Sequence, residues 1–328
     1  MTVSYDDVLA AARRIEGRVL RTPVIEIAEG LFLKLEGLQH SGSFKVRGAF
    51  NRMLSAHVPA AGVIAASGGN HGLAVAYAAR ALGVRAEIFV PVVSSPVKVA
   101  GLRALGAEVT QTGAIYSEAA GAAAKRAAET GALEVHAYDH PAVVAGQGTL
   151  GLEVMEQTGG VDTILIAVGG GGFVAGVTVG AGAGAGAVAP GGAAAVRVGT
   201  AGAVNEGGHA PTIVAVEPEL IPTLHEALKA GAPVPVAVSG VAADALGATR
   251  LGDVAYEIVS KAEIQSLLVS DDAIEAARRT LWAEHRVVAE HAGATAYAAL
   301  LSGGYARGRG ERVAVVVCGS NTDPATLA

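Results

Sequence analysis

Four short segments concentrate side chains and glycines that could do chemistry. The first is Ser41-Gly42-Ser43-Phe44-Lys45-Val46-Arg47-Gly48-Ala49. It places a lysine in a Gly/Ser loop at a helix start, where the positive end of the helix dipole disfavours an ammonium. That field and burial together should lower its pKa and leave some free amine. A free amine can form a Schiff base with an aldehyde. A lysine alone is most often a solvated surface residue, so its neighbours must decide. The second segment, Ala66-Ser67-Gly68-Gly69-Asn70-His71-Gly72, offers backbone N–H groups at a helix N-terminus, a ready anion site, and a two-sided amide in Asn70. The third, Gly169 to Gly172, lets backbone amides wrap a phosphate. The fourth, Val317-Cys318-Gly319-Ser320-Asn321, sets a thiol before a glycine turn. An isolated cysteine would read as a small buried hydrophobe.

The glycine run also fits another chemistry. Gly170-x-Gly172-x-x-Ala175 formally matches a dinucleotide fingerprint and so an NAD-dependent oxidoreductase. That fingerprint needs an acidic residue about 20 positions on for the ribose. No Asp or Glu stands between Asp162 and Glu206. A non-catalytic binding protein on the same scaffold would be expected to lack the lysine, and Lys45 is present.

The chain must position these loops. It has 328 residues, enough for two lobes around a cleft. Apolar residues make up 51% but aromatics only 4%, with 45 glycines. This suits strands buried on both faces and tight turns. Strands are expected at 31–36, 63–66, 86–90, 108–110, 163–168, 213–217, 257–259 and 312–317. Helices are expected at 4–15, from 44, at 71–82, up to 105, at 117–130, 149–157, from the glycine run, at 225–230 and at 271–284. The alternation with short connections predicts doubly wound parallel α/β architecture. Active sites in such sheets lie beyond the carboxyl ends of strands, and all the loops named above follow strands. Residues 1–49 with 146–328 are expected to form a large lobe and 50–145 a small one. Residues 181–210, Gly/Ala-rich and without a period, are expected to be a surface insertion.

Charge and length exclude other classes. The net charge of −6, with 24 basic and 30 acidic residues well mixed, leaves no basic stripe for nucleic acid. The uncharged stretch 163–196 is long enough for a membrane span, but its glycines and Pro190 argue against a helix there. A single cysteine fits a reducing cytoplasm, and Met1 to Arg14, with no apolar core behind a basic flank, does not read as a secretory signal.

In this order and combination, the four segments resemble the serine/threonine dehydratase and serine racemase family, fold-type II enzymes that use pyridoxal 5'-phosphate (PLP). The likeness runs from about Tyr5 to Pro324 and is interrupted by the Gly/Ala-rich segment. It implies two parallel or mixed sheet lobes with the cofactor cleft between them. It further implies that Lys45 carries the cofactor and moves the Cα proton, with Phe44 packed beside it. By the same resemblance Asn70 reaches the ring hydroxyl, Gly169, Gly170, Gly171 and Gly172 hold the phosphate, and Cys318 faces the pyridine nitrogen. Glu290, in Ala-Glu-His-Ala-Gly-Ala, matches a family glutamate near the ring, although His291 stands where the family often has proline. Ser67, Gly68, Gly69, Asn70 and His71 would hold the substrate carboxylate. Some relatives bind a divalent cation: Glu217 and the Ile221 carbonyl match two ligands, but Thr223 replaces the expected Asp, which weakens a hard-cation site. The family implies a homodimer or homotetramer. The chain's end soon after Cys318 implies a short, catabolic type of dehydratase.

Two positions narrow the activity. Cys318, as a neutral thiol, supplies no negative charge to keep a pyridine protonated, which favours prompt loss of a β-hydroxyl over a long-lived carbanion. Racemases of the family carry a serine acid/base immediately before Gly-Asn-His, and here that place is Gly68. Elimination of water from threonine or serine is therefore expected. Racemisation of serine, or dehydration of another β-hydroxy amino acid such as 3-hydroxyaspartate, is the alternative.

Overall fold

A computed structural model describes residues 2–182, 210–262 and 264–327. The chain opens with α1 (Tyr5–Ile15), β1 (Val24–Ala28), β2 (Leu31–Leu35) and α2 (Lys45–Leu54). Then follow β3 (Val63–Ala66), α3 (Asn70–Ala81), β4 (Ala86–Val90), α4 (Pro96–Ala104), β5 (Glu108–Gln111), α5 (Tyr116–Thr130) and β6 (Leu133–Glu134). The next stretch comprises α6 (Pro141–Thr158), β7 (Thr163–Ala167), α7 (Gly172–Gly180), β8 (Thr212–Pro218), α8 (Thr223–Ala230), α9 (Ala243–Leu246) and α10 (Asp253–Val259). The chain closes with β9 (Ile264–Val269), α11 (Asp271–His285), α12 (His291–Leu301) and β10 (Val313–Val317).

Two sheets organise these elements. One has six strands in the order β1-β2-β10-β7-β8-β9, parallel except for β1. The other has four parallel strands in the order β5-β4-β3-β6, all from residues 63–134. Each sheet has its own buried cluster of Val, Ile, Leu and Ala. The mixed, doubly wound α/β class expected from the sequence is the class observed. Every residue of β7 and β10 is buried, which is why both read as unbroken apolar runs.

Topology puts the chemistry on one edge. Strand β10 pairs in parallel with β2 on one side and β7 on the other. Their carboxyl ends therefore deliver the Lys45, Cys318 and Gly169 loops side by side. A short bridge between Ser43 and Gly319, and a hydrogen bond from Phe44 N to Cys318 O (3.2 Å), fasten two of these loops together.

Some local expectations differ. Residues 257–259, expected as a strand, end α10; Ala255, Ile258 and Val259 are its buried face, and the strand follows at 264–269. A segment as short as Glu257-Ile258-Val259 cannot show which period it obeys. Helix α6 begins at Pro141, eight residues before the expected start, with His140 as its cap and Pro141 in its first turn. Strand β1 and helix α12 were not expected; the buried face of α12 is almost all alanine and glycine, which blurs its period. The segment 181–210 falls almost wholly outside the described residues. No helix among the described residues is long and apolar enough to cross a membrane.

Candidate active site

Lys45 begins α2, and its Nζ donates to the Ala137 carbonyl (2.9 Å). Burial of the amine lowers its pKa to about 8, while Cys318 and Glu290 pull the other way. The direction matches the sequence expectation. Two residues along α2, Arg47 is fully buried and makes paired hydrogen bonds to Glu36 (2.8 and 2.8 Å) and to Glu153 (2.7 and 2.8 Å). Lys34, also fully buried, donates to Glu153 (2.6 Å), Gln157 and the Thr22 carbonyl (both 2.8 Å). This charge-balanced cluster ties β2, α2 and α6 together beneath Lys45.

The Gly169–Gly172 loop leads into α7, whose first amides have no partner within the helix. Gly171, the cap, has φ of 85°, a conformation glycine adopts at little cost. A Cβ at Gly169 would lie 2.8 Å from Leu246 O, and one at Gly170 only 2.4 Å from the Tyr138 ring. At Gly172 it would lie 2.3 Å from the Tyr138 carbonyl oxygen. Bare backbone is therefore the only surface this loop can present. Phe44 stacks on Phe173 beside it, with ring centroids 3.6 Å apart and planes at 11°. Gly172→Ala is expected to cost about 1–3 kcal/mol by overpacking and to weaken PLP binding; thermal unfolding and a PLP titration would measure both.

Asn70 is fixed at both ends of its amide. Nδ2 donates to Glu290 Oε1 (2.5 Å), and Oδ1 accepts from Asn321 Nδ2 (2.7 Å). Burial pushes the Glu290 carboxyl up to about 7 against that hydrogen bond. The Glu290 carboxylate lies against Gly319, where a Cβ would come within 2.1 Å of Oε1. Cys318 is buried, its thiol donates to the Ala292 carbonyl (3.3 Å), and burial raises its pKa, which keeps it neutral. His71 is pushed down to about 3 by burial, and next by Lys45; as a neutral ring its Nε2 donates to Val135 O (2.8 Å). The anion-binding capacity of this loop therefore rests on the α3 N-terminal amides rather than on an imidazolium. Ser67 Oγ accepts from Gly69 N (3.2 Å).

Phe44, Lys45, Asn70, Gly169 to Gly172 and Cys318 border one pocket. Ser67 to His71, with Lys45 and Asn70, border the adjoining cleft of ≈ 560 Å³. Glu290 joins them through Asn70. Glu217 is not among the residues that border the pocket or the cleft. It is fully buried, and its carboxylate accepts from Leu224 N (2.7 Å) and His225 N (2.8 Å) at the start of α8. Burial raises it to about 7 against these amides. Among the described residues no three His, Cys, Asp or Glu side chains gather as a metal-ligand set.

Sequence reasoning missed Tyr138, which borders both the pocket and the cleft, and the buried cluster around Arg47. Lys34 and Glu36 inside the apolar run Leu31-Phe32-Leu33-Lys34-Leu35-Glu36 were the available signal, since charges in a strand buried on both faces must be paired. Tyr138 left no comparable trace.

The residues present fit PLP. A lysine of lowered pKa suits its aldehyde. A side-chain-free loop with open helix-start amides, where any Cβ would fill the cradle, suits its phosphate. The comparisons with known proteins agree. The chain is 34% identical over 330 residues to the L-threonine ammonia-lyase of Thermotoga maritima, covering 98% of this chain and 76% of that protein. It is 35% identical to the phenylserine dehydratase of Ralstonia pickettii, covering 100% of this chain and 97% of that protein. Its fold superposes on the crystal structure of a T.th. threonine deaminase with a TM-score of 0.84 at 34% identity, covering 98% and 99% of the two chains. A family model described as pyridoxal-phosphate dependent enzyme matches residues 15–319, and with the glycine cradle and Lys45 in place the chain belongs to that family.

Proposed function

We propose that this chain is a lyase that removes water from an L-β-hydroxy amino acid, threonine or serine first among them, and releases a 2-oxo acid and ammonia. The observation that carries this reading is Lys45, an amine with a pKa of about 8, bordering the same cleft as a loop that has only glycine at position 68. In this assignment Gly169 to Gly172 hold the cofactor phosphate, Phe44 packs beside the ring, Cys318 lies at the pyridine nitrogen and Asn70 at the ring hydroxyl. The bound cofactor supplies the electron sink that makes the substrate Cα proton acidic.

The protein's own residues do the rest. Roughly a tenth of an amine with a pKa of about 8 is free at pH 7, against about four parts in ten thousand for an ordinary lysine. Lys45 can thus take the Cα proton near neutrality. The α3 N-terminal amides of Asn70, His71 and Gly72 orient the substrate carboxylate. The buried neutral thiol of Cys318 supplies no negative charge to keep a pyridine nitrogen protonated, so negative charge at Cα would be held less well and the β-hydroxyl, protonated as it goes, leaves promptly as water. Hydrolysis of the dehydrated product gives the 2-oxo acid and ammonia.

Racemisation needs a second proton carrier facing Lys45 across the ring. A Cβ added at Gly68 would meet Ser94 Oγ at 3.5 Å and Val90 Cγ1 at 3.6 Å, ordinary contacts, so a serine fits there. Incubation with L-serine, L-threonine, 3-hydroxyaspartate and 3-phenylserine, following both 2-oxo acid and D-isomer, tests the assignment. The native protein is expected to give 2-oxo acid with little D-serine, and Gly68→Ser to raise the D-serine fraction several-fold. D-serine formed by the native protein as fast as pyruvate would reverse the preference. The phenylserine arm asks whether the cleft of ≈ 560 Å³ admits a substituent larger than threonine's methyl.

The reading includes a division into a large lobe, 1–49 with 146–328, and a small one, 50–145. The two sheets with separate buried clusters support it. It also includes a cytoplasmic homodimer or homotetramer, for which sedimentation velocity gives the mass.

A further inference from the structure

Thr223 opens α8 behind the glycine loop, and it is fully buried. Its hydroxyl contacts two oxygens, the Gly169 carbonyl and, less closely, Glu217 Oε1 (3.0 Å). A hydroxyl has one hydrogen to donate. Glu217 already receives the Leu224 and His225 amides, so the hydrogen goes to the closer partner, Gly169. Pro222 offers α8 no side-chain cap; Glu217, reaching over from β8, supplies it and so fixes where Thr223 stands.

The consequence for the loop follows from peptide geometry. Among the described residues there are no cis peptide bonds. In a trans peptide the carbonyl and the next N–H point in opposite directions. Thr223 pulls the Gly169 carbonyl towards α8, which turns the Gly170 N–H the other way. Gly170 borders the pocket. The next peptide is pinned likewise: Gly252 N donates to the Gly170 carbonyl (3.0 Å), which turns the Gly171 N–H away from Gly252. Consecutive glycines have wide φ/ψ freedom and cannot hold these orientations themselves.

We propose that Thr223, held in place by Glu217, is a positioning residue for cofactor binding: its hydroxyl fixes the Gly169–Gly170 peptide so that the Gly170 N–H stays aimed at the phosphate. This rests on the assignment of the glycine loop to the phosphate. Thr223 thereby gives the loop a support made of protein groups alone.

The test compares native protein, Thr223→Val and Thr223→Ser, each as apoprotein titrated with PLP and with pyridoxal, which lacks the phosphate. Absorbance reports binding, the 31P resonance of bound PLP reports the phosphate environment, and thermal unfolding of the apoprotein reports the fold. Thr223→Val is expected to weaken PLP about tenfold, the scale of one hydrogen bond serving an anion site, to shift the 31P resonance, and to leave pyridoxal affinity unchanged. Thr223→Ser is expected to stay within about twofold of native, because the donor is kept. If the valine variant does not fold, Thr223→Ala removes the hydroxyl without adding bulk and serves in its place. Unchanged PLP affinity and 31P resonance in the hydroxyl-less variant, or equal losses for PLP and pyridoxal, would overturn the proposal. Native protein binding pyridoxal as tightly as PLP would instead overturn the assignment of the glycine loop.

Discussion

Lys45→Ala is expected to lose at least about 10³-fold in turnover, the scale of a positioned acid/base, while the protein stays folded. The native holoenzyme should show an absorbance band near the visible edge that borohydride removes. The variant should bind PLP without that band and form no covalent adduct on reduction. The stability expectation runs opposite to that for most buried deletions. Lys45 gives its amine a single hydrogen bond, to Ala137 O, and burial disfavours its charged form. A lysine whose folded pKa lies near 8 takes up fewer protons than its unfolded counterpart between about pH 8 and 10.4. Native stability therefore rises across that window and is depressed below it. Removing the amine lifts the penalty, so the variant apoprotein should unfold at or above the native temperature at pH 7. A variant with native turnover would remove Lys45 from the chemistry. A variant that is inactive and unfolded would mean that the side chain is structural.

Arg47→Met should act in the contrary way, through the fold first and the chemistry second. The guanidinium faces two carboxylates, and both Arg47 and Glu36 are fully buried. Its removal leaves Glu36 with Thr22, whose hydroxyl donates to Oε1 (2.5 Å), as its remaining hydrogen-bond partner, and leaves Glu153 with Lys34. Breaking a buried pair by removing one partner costs about 3–5 kcal/mol, so denaturant unfolding should lose that much. Arg47→Lys should recover only part of it, since an ammonium cannot make the two paired contacts. Acid has a related effect. Burial resists ionisation of Glu36, but the Arg47 charge, its hydrogen bonds and Lys34 overcome this and hold the carboxyl below its ordinary value. The unfolded carboxyl then binds protons at higher pH than the folded one. The stability from this pair is present above the unfolded pKa, near 4.3, and is lost as pH falls through the lower folded value. The native protein should therefore weaken below about pH 4.3, and Arg47→Met should show less of that particular loss. Because α2 begins at Lys45, the folded fraction of Arg47→Met should also bind PLP more weakly.

The sequence carried the site further than it carried its supports. Lys45, Asn70, the glycine run and Cys318 were legible because each breaks a local rule: a lysine at a helix start, a glycine run and a thiol where turns need neither. The alternation of strand, loop and helix then placed all of them at strand ends. Local pattern failed where it is ambiguous in principle. Residues 257–259 obey either period, and α12 has no contrasting face because alanine and glycine fill it. Roles that depend on a partner far along the chain were also out of reach. The two ends of the Asn70 amide are taken by Glu290 and Asn321, 220 and 251 residues away. That the Glu217 carboxylate accepts the first amides of α8 could be read only from the fold, because β8 and α8 had to be brought together first.

The sequence by itself determined the chemical groups on offer: an amine at Lys45, a run of side-chain-free backbone at Gly169 to Gly172, a thiol at Cys318, and no side chain at Gly68. These follow from residue type and near neighbours, which are fixed before folding. Only the tertiary structure decided how each group is held. Parallel pairing of β2, β10 and β7 brings the loops to one edge, burial sets the Lys45 pKa near 8, and Arg47 and Thr223 pin the elements from behind. Solvation and hydrogen-bond partners are properties of the packed neighbourhood. Residues far apart in the chain supply that neighbourhood, 54 positions between Thr223 and Gly169, 92 between Lys45 and Ala137 and 106 between Arg47 and Glu153, and only the fold brings them together.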